Sequence, residues 1–173
     1  MNLTFTHRLA QREDIPSLQL LMAASVRELL RDFLSPEAVE ASFDVMGLDT
    51  QLIDDGTYYV IECDTVIVGR DVALLDPQNE AARVRAMYTN PQFTRCGIGR
   101  LLLGLCEQAA AAEGFQRVTL AATMAGELLY RACGYQEMER FEADTSAGVP
   151  VPLVRMGKWI GSVERTKLAS SQI

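Results

Sequence analysis

The chain has 173 residues and a formal net charge of −7, with 49% hydrophobic and 23% charged residues. This length suits one compact domain rather than two, and the composition is that of a globular protein, not a disordered or fibrous one. The acidic balance argues against nucleic acid as a partner, which requires a concentrated basic surface, and is easier to reconcile with a cationic substrate.

The N-terminal third predicts one strand and two helices. Residues Leu3–Arg8 alternate apolar and polar side chains, as a half-buried strand does. A helix entered at Gln11–Asp14 carries apolar residues at helical spacing to about Arg31. The second helix begins at Ser35, whose hydroxyl can cap free N–H groups ahead of a proline, and should end near Gly47.

The rest of the chain predicts strands grouped around two further helices. Strands at Thr57–Cys63 and Val66–Leu75 flank a turn and predict an antiparallel hairpin. A strand at Ala81–Thr89 precedes a long helix from Gly97 to Gly114. The remaining predicted elements are a short helix at Gly126–Cys133 and strands at Gln116–Ala122, Tyr135–Phe141 and Pro150–Trp159. This grouping predicts an α+β fold, a mixed α/β sandwich, rather than a doubly wound sheet.

Several features bound the setting of the protein. Its apolar stretches are interrupted well before the roughly 20 residues that a membrane span needs, and the opening segment lacks the pattern of a secretory signal, so a cytoplasmic protein with no membrane partner is expected. The four cysteines form no CxxC pair, and the chain has only one histidine that could join them as a metal ligand. This predicts reduced thiols and no metal site. We expect a single domain over residues 1–160 and a flexible tail over 161–173, which shows no apolar period.

A glycine-bearing turn separates the strand ending at Thr89 from the long helix. The first turn of a helix carries unpaired N–H groups and a partial positive charge, so the stretch Arg95–Arg100 is suited to holding a pyrophosphate, with its two arginines adding charge at the rim. The same glycines are equally compatible with a tight turn and close helix packing alone. The turn is not the dinucleotide fingerprint GxGxxG, because Leu102 stands where its third glycine or alanine would be.

The run AMYTNPQFTRCGIGRLL, from Ala86 to Leu102, resembles motif A of the GNAT N-acetyltransferase superfamily. The signature of that motif is Arg or Gln, two residues, Gly, one residue, then Gly or Ala. In this sequence the window is Thr94–Gly99, and Thr94 departs from the first position while Arg95 stands next to it.

A second stretch, Leu120–Tyr135, resembles motif B of the same superfamily, whose ending is Tyr, three residues, Gly, then Phe or Tyr. Tyr130, Gly134 and Tyr135 match that spacing, while the asparagine often found shortly before the tyrosine is missing. The two motifs and the strand order extend the resemblance over roughly residues 3–158.

The resemblance implies a mostly antiparallel sheet flanked by helices, in which the strands ending at Thr89 and near Ala122 are parallel neighbours that splay apart. It further implies that acetyl-CoA binds in the resulting slot. The residues implied in cofactor binding are Met87, Tyr88, Thr89, Thr94, Arg95, Cys96, Gly97, Ile98, Gly99 and Arg100. The backbone groups of Met87 and Thr89 would bond the pantetheine and polarise the thioester, and the amides of Arg95–Arg100 would hold the pyrophosphate.

Tyr130 occupies the place where the superfamily commonly has the general acid that protonates the departing thiolate. Packing between helix and sheet is the alternative role for its ring. Many members use a glutamate on the strand before motif A as the general base, but the matching position here is Arg83, which cannot accept a proton. Glu80 is the nearest acidic candidate, with Glu28, Glu37 or a water chain as the other possibilities.

The sequence therefore predicts an acetyl-CoA-dependent N-acetyltransferase that acetylates a primary amine, on a small molecule or a peptide or lysine, by direct attack in a ternary complex. One alternative is a catalytically degenerate acyl-CoA-binding sensor or interaction module of the same fold, favoured by Thr94 and Arg83. Another is a nucleotide-binding α/β protein that uses the glycine turn. A homodimer is an expectation from the resemblance alone.

Overall fold

The computed structural model describes residues 4–63, 66–76 and 81–161, with the backbone alone within 66–76. In chain order the helices and strands are β1 (Thr6–Leu9), α1 (Ile15–Leu30), α2 (Pro36–Ala41), α3 (Gln51–Asp54), β2 (Tyr58–Cys63), β3 (Val66–Asp76), β4 (Ala81–Thr89), α4 (Ile98–Ala112), β5 (Arg117–Ala122), α5 (Glu127–Ala132), β6 (Gln136–Ala143) and β7 (Val151–Trp159). Nearly all of the predicted tail lies outside the described residues, so the boundary at residue 160 stays a prediction.

All seven strands form one sheet in the order β1-β2-β3-β4-β5-β7-β6. Neighbouring strands run antiparallel, with the exception of β4 and β5, which are parallel and are connected through α4. The parallel pair needs this helical crossover because a short turn can join only antiparallel strands. The predicted mixed α/β sandwich with one parallel pair is confirmed.

Helices cover both faces of the sheet. On one face, apolar residues of α4 such as Leu103 and Cys106 pack against Val118 and Met156 of the central strands. On the other face, Val26 and Leu30 of α1 join a buried cluster with residues of α2 and β4. The long 3.6-residue periods of α1 and α4 predicted these layers, since an amphipathic helix must bury its apolar stripe.

The predicted second helix differs from the structure. Helix α2 ends at Ala41 and is followed by a 3-10 turn at Ser42–Asp44, so the expected helix to Gly47 is wrong. The Ser42 hydroxyl donates to the Ala38 carbonyl at 2.7 Å, a local side-chain bond that competes with regular helical pairing.

One helix was not predicted, and the first strand has other bounds than expected. The single turn of α3 is too short to produce a hydrophobic period. The first strand was placed at Leu3–Arg8 and lies at Thr6–Leu9, because its register against β2 runs from Thr6 opposite Glu62 to Leu9 opposite Tyr59. Among the described helices, none is long and apolar enough to span a bilayer.

Candidate active-site cleft

The parallel strands β4 and β5 pair only at their beginnings. Their register extends from Ala81 opposite Arg117 to Val84 opposite Leu120, and the described residues after Val84 have no partner in β5. A cleft of about 450 Å³ opens where the two strands separate. Unpaired edge amides and carbonyls in such a gap are available to an elongated polar ligand.

A bulge in β4 adds to this separation. Val72 of β3 lies opposite Arg85, whereas Arg70 lies opposite Tyr88, so β4 contains one extra residue over this interval. Ala86 within the bulge has φ = 58°, a left-handed conformation that is unusual for a residue other than glycine.

The bulge also reverses the alternation of side chains along β4. Val84 packs with the α4 layer, whereas Tyr88 packs with α1 and α2 on the opposite face. Without the extra residue, these two positions would share a face because side chains alternate with a period of two. The bulge therefore decides which side chains of β4 face the cleft.

The N-terminus of α4 follows β4 after a short connection. Gly97 at its N-cap has φ = 84° and provides no capping side chain. The first helical bond joins the Leu101 N–H to the Gly97 carbonyl at 3.0 Å, so the N–H groups of Ile98, Gly99 and Arg100 precede the helical ladder. These N–H groups and the helix dipole make this end a favourable position for an anion.

The glycine at position 99 has a packing reason as well. A Cβ added there would lie 2.5 Å from Cδ2 of Leu129, on the helix that carries Tyr130. Gly99 thus allows α4 and α5 to approach each other closely. Both interpretations of the glycine turn, close packing and an accessible helix start, therefore have a basis in the same structure.

The side chains of the predicted loop residues differ in exposure. Thr94, Arg95, Cys96, Gly97 and Arg100 are exposed. The Thr94 hydroxyl donates to the Pro91 carbonyl at 3.2 Å, and the Cys96 thiol donates to the Thr94 carbonyl at 3.6 Å. These bonds shape the loop locally.

Two predicted cofactor-binding residues have side chains that point into the core. Ile98 is 1% exposed and packs with residues of α4 and β2, and Tyr88 is 6% exposed. Met87 and Tyr88 line the cleft, and Thr89 is the last residue of β4.

Tyr130 lines the cleft from α5 and is 7% exposed. Its ring meets that of Tyr135 edge to face, with centroids 6.0 Å apart. Gly126, one turn earlier, leaves the space that the ring needs, because a Cβ there would lie 2.8 Å from Cε2 of Tyr130. Packing thus holds the ring in one position beside the cleft.

The predicted general base, Glu80, lies outside the described residues. Among the described residues that line the cleft there is no aspartate or glutamate, and three arginines, Arg83, Arg85 and Arg155, take part in the lining instead. Of these three arginines, the sequence motifs single out only Arg83. The two-residue spacing of Arg83 and Arg85 in the sequence predicts that both lie on one face of a strand. Arg155 lies at the cleft because β7 pairs with β5, which the local sequence does not indicate.

Comparisons with known proteins agree with this architecture. Residues 54–137 match the family model described as the acetyltransferase (GNAT) domain. A GCN5-related N-acetyltransferase from Rhodopseudomonas palustris superposes with a TM-score of 0.75 at 20% identity, covering 92% of this chain and 98% of that one. No curated protein sequence gave a significant match.

Two similar structures contain coenzyme A. The PaiA N-acetyltransferase from Thermoplasma acidophilum, in complex with coenzyme A, has a TM-score of 0.70 at 17% identity over 90% of this chain and 99% of that one. N-acetylglutamate synthase from Neisseria gonorrhoeae, complexed with coenzyme A and N-acetylglutamate, has a TM-score of 0.64 at 17% identity over 93% of this chain and 36% of that one. Residues 54–137 therefore match the GNAT acetyltransferase domain, and the described chain has the fold of these N-acetyltransferase structures.

Proposed function

We propose that the protein is an N-acetyltransferase that transfers an acetyl group from acetyl-CoA to a primary amine within a ternary complex. The observation that carries this proposal is the divergence of β4 and β5 after Val84 and Leu120, beside a helix start with a left-handed glycine cap and a buried tyrosine in the cleft. The coenzyme A bound in two similar structures supports the choice of donor.

The described residues fit the donor at both of its polar regions. The N–H groups of Ile98, Gly99 and Arg100 would hold the pyrophosphate, and the exposed side chains of Arg95 and Arg100 would add positive charge. The edge of β4 beyond Val84, including Met87 and Thr89, would bond the pantetheine arm.

Acetyl-CoA supplies the acyl group as a thioester, so that a new N–C bond replaces the C–S bond and coenzyme A leaves as the thiol. Tyr130 is the side chain that we assign to proton donation at the leaving sulfur, because it lines the cleft and is fixed by packing. An amide at the β4 edge would polarise the carbonyl, and its alignment would cost nothing at the moment of reaction.

A non-catalytic acyl-CoA sensor of the same fold is the second candidate. Arg83 at the position of the usual base, and the lack of a carboxylate among the described cleft residues, are the observations that favour it. A sensor would bind acetyl-CoA without releasing coenzyme A in the presence of any amine, so turnover distinguishes the two.

Calorimetric titration with acetyl-CoA, beside ATP and NAD, tests the donor site first. We expect acetyl-CoA alone to bind, and Gly99→Glu to abolish binding because its side chain would crowd Leu129 and bring negative charge to the helix start. Gly104→Glu is the matched control, since it adds the same charge to α4 at a position where a Cβ meets nothing within 4 Å.

The outcome of this titration is decisive for the proposal. Binding that survives Gly99→Glu would place the donor elsewhere, and an equal loss in both variants would reduce the effect to net charge on α4. If ATP or NAD bound in place of acetyl-CoA, the acyltransferase proposal would be withdrawn.

A further inference from the structure

Three arginines lie on one face of the sheet around the separation of β4 and β5. Arg83 is opposite Thr119 of β5, and Arg155 of β7 is opposite Ala121. Residues two apart on a strand share a face, so Arg85 stands level with Ala121 on the opposite side from Arg155. Ala121 is exposed, and its small side chain leaves space between these arginines.

The spacing of this arrangement suits a small anion. Two strand intervals separate β4 from β7, which puts the backbones of Arg85 and Arg155 about 10 Å apart, before the separation of the strands is added. An arginine side chain is long enough to span half of that distance, so Arg85 and Arg155 can contact the same small group above Ala121. A planar guanidinium binds a carboxylate or a phosphate through paired N–H donors.

Two of these arginines have no charged partner among the described residues. Within the described part of the chain, neither Arg83 nor Arg85 forms an ion pair or a side-chain hydrogen bond, although most other arginines of this acidic protein are paired. Arg155 is paired with Glu139 and lies over the ring of Phe141 at 5.0 Å. The described lining of the cleft therefore carries positive charge even though the chain has a net charge of −7.

These arginines lie away from the pyrophosphate position. β4 runs from Arg83 through Met87 to Thr89 and then towards the start of α4, rising about 3.3 Å per residue. Arg83 and Arg85 come before the bulge, in the half of β4 that is nearer its beginning. The groups that would bind the donor phosphates lie beyond the other end of the strand.

We propose that the acceptor is a small amine that also carries a carboxylate or phosphate, bound by Arg83 and Arg85 with help from Arg155; this inference rests on the proposed acetyl transfer. A cleft of about 450 Å³, shared with the acyl end of the donor, admits a small molecule. The local charge overrides the cationic substrate that the net charge alone would favour.

The same charges bear on how the amine loses its proton in a cleft whose described lining has no carboxylate. Positive groups near an ammonium lower its pKa, because they disfavour the protonated form. Two arginines against one carboxylate on the acceptor leave a surplus positive charge near the nitrogen, and this surplus favours the neutral nucleophilic form.

Paired acceptors test the proposal in the whole protein with saturating acetyl-CoA. Release of coenzyme A is measured with phenylalanine against phenethylamine, with phosphoethanolamine against ethanolamine, and with putrescine as a cationic amine. We expect kcat/KM for an anionic member to exceed that of its partner at least about tenfold, the value of one charge-assisted hydrogen bond. The pair with the larger ratio of kcat/KM values shows whether the site prefers a carboxylate or a phosphate on the acceptor.

Variants connect the preference to the residues. Arg85→Gln and Arg83→Gln should each lower kcat/KM for the anionic acceptor about 10- to 100-fold, and Arg85→Glu should shift the preference towards putrescine. Arg12→Gln is the control, since this exposed arginine pairs with Asp54 far from the cleft lining. An unchanged affinity for acetyl-CoA verifies that each variant is folded.

Two results would overturn the inference in different ways. Equal turnover of each acceptor and its partner without the anionic group would remove the anionic acceptor but leave the acetyltransferase. No release of coenzyme A with any amine, in protein that binds acetyl-CoA, would remove both. Should an arginine variant fail to fold, the wild-type protein still decides, because KM for the acceptor with the anionic group must rise with salt while KM for the cationic amine that lacks this group does not.

Discussion

Tyr130 is the residue whose hydroxyl we expect to matter for turnover and not for donor binding. Its ring packs against Tyr135 and fits into the space beside Gly126, so Tyr130→Phe keeps the ring packing and removes the hydroxyl. We expect kcat to fall about 100-fold or more, the range for general acid catalysis, with the Kd of acetyl-CoA unchanged. Release of coenzyme A and calorimetry measure the two quantities.

Tyr135→Phe is a matched control for that change. The Tyr135 hydroxyl donates to Oε1 of Glu107 at 3.1 Å and is not part of the cleft lining. Its loss should cost about 1 kcal/mol of stability and leave kcat intact. Equal kcat values for Tyr130→Phe and the wild type would assign Tyr130 a packing role only.

At the residue scale, the sequence predicted the parts of the candidate site that depend on local spacing. Tyr130 and the Gly97 turn lie in or next to short segments whose spacing of apolar residues indicates a helix or a strand. Arg155 was not predicted, because its place in the cleft follows from the register of β7 against β5. The local spacing of apolar and polar residues does not indicate which distant strands pair.

At the scale of the element, the bulge in β4 lies where the strand separates from β5 and contributes Ala86 to the cleft lining. Ala86→Val should destabilise the protein by about 2 kcal/mol, because a β-branched side chain is strongly disfavoured at φ = 58°, and should weaken acetyl-CoA binding by disturbing the strand edge. Ala86→Gly should retain or slightly raise stability, since glycine adopts this conformation without steric cost. Chemical denaturation and calorimetry measure both effects.

The two substitutions at position 86 control for each other. Equal destabilisation by valine and glycine would show that the alanine side chain, and not the backbone conformation, matters there. The bulge was not predicted, since β4 has no glycine to mark it and its apolar pattern continues through Thr89. Helix α4, by contrast, was predicted within two residues at each end because its apolar stripe spans four turns.

At the scale of the whole molecule, one ion-pair network joins the sheet edge to the first helix. Arg8 of β1 donates to both carboxylate oxygens of Asp14, at 2.7 and 3.0 Å, and to Oε1 of Glu62 in β2 at 2.7 Å. Asp14 also accepts the Gln11 N–H at 2.8 Å, just before α1. The bonds from Arg8, followed by the bond from Gln11, lower the pKa of Asp14.

The sign of the resulting pH dependence follows from that lowered pKa. The unfolded chain, with an aspartate pKa of about 3.9, binds the proton more readily than the folded chain does. The contribution of Asp14 to the free energy of unfolding is therefore complete above pH 4 and is lost as the pH falls through the lower folded value.

Thermal denaturation of Asp14→Asn across this range tests the network. At pH 7 we expect a loss of about 1 kcal/mol, or about 2–4 °C in Tm, because asparagine keeps a capping oxygen but loses the charge that binds Arg8. The difference from wild type should shrink below pH 4, where the wild-type carboxyl takes up its proton. Asp32→Asn is the control, since that carboxylate is 82% exposed and lies 3.9 Å from Arg31, and it should change Tm little at either pH. A deficit in Asp14→Asn that stayed constant between pH 7 and pH 3 would mean that the shape of the carboxyl group, and not its ionisation, secures the junction between β1 and α1.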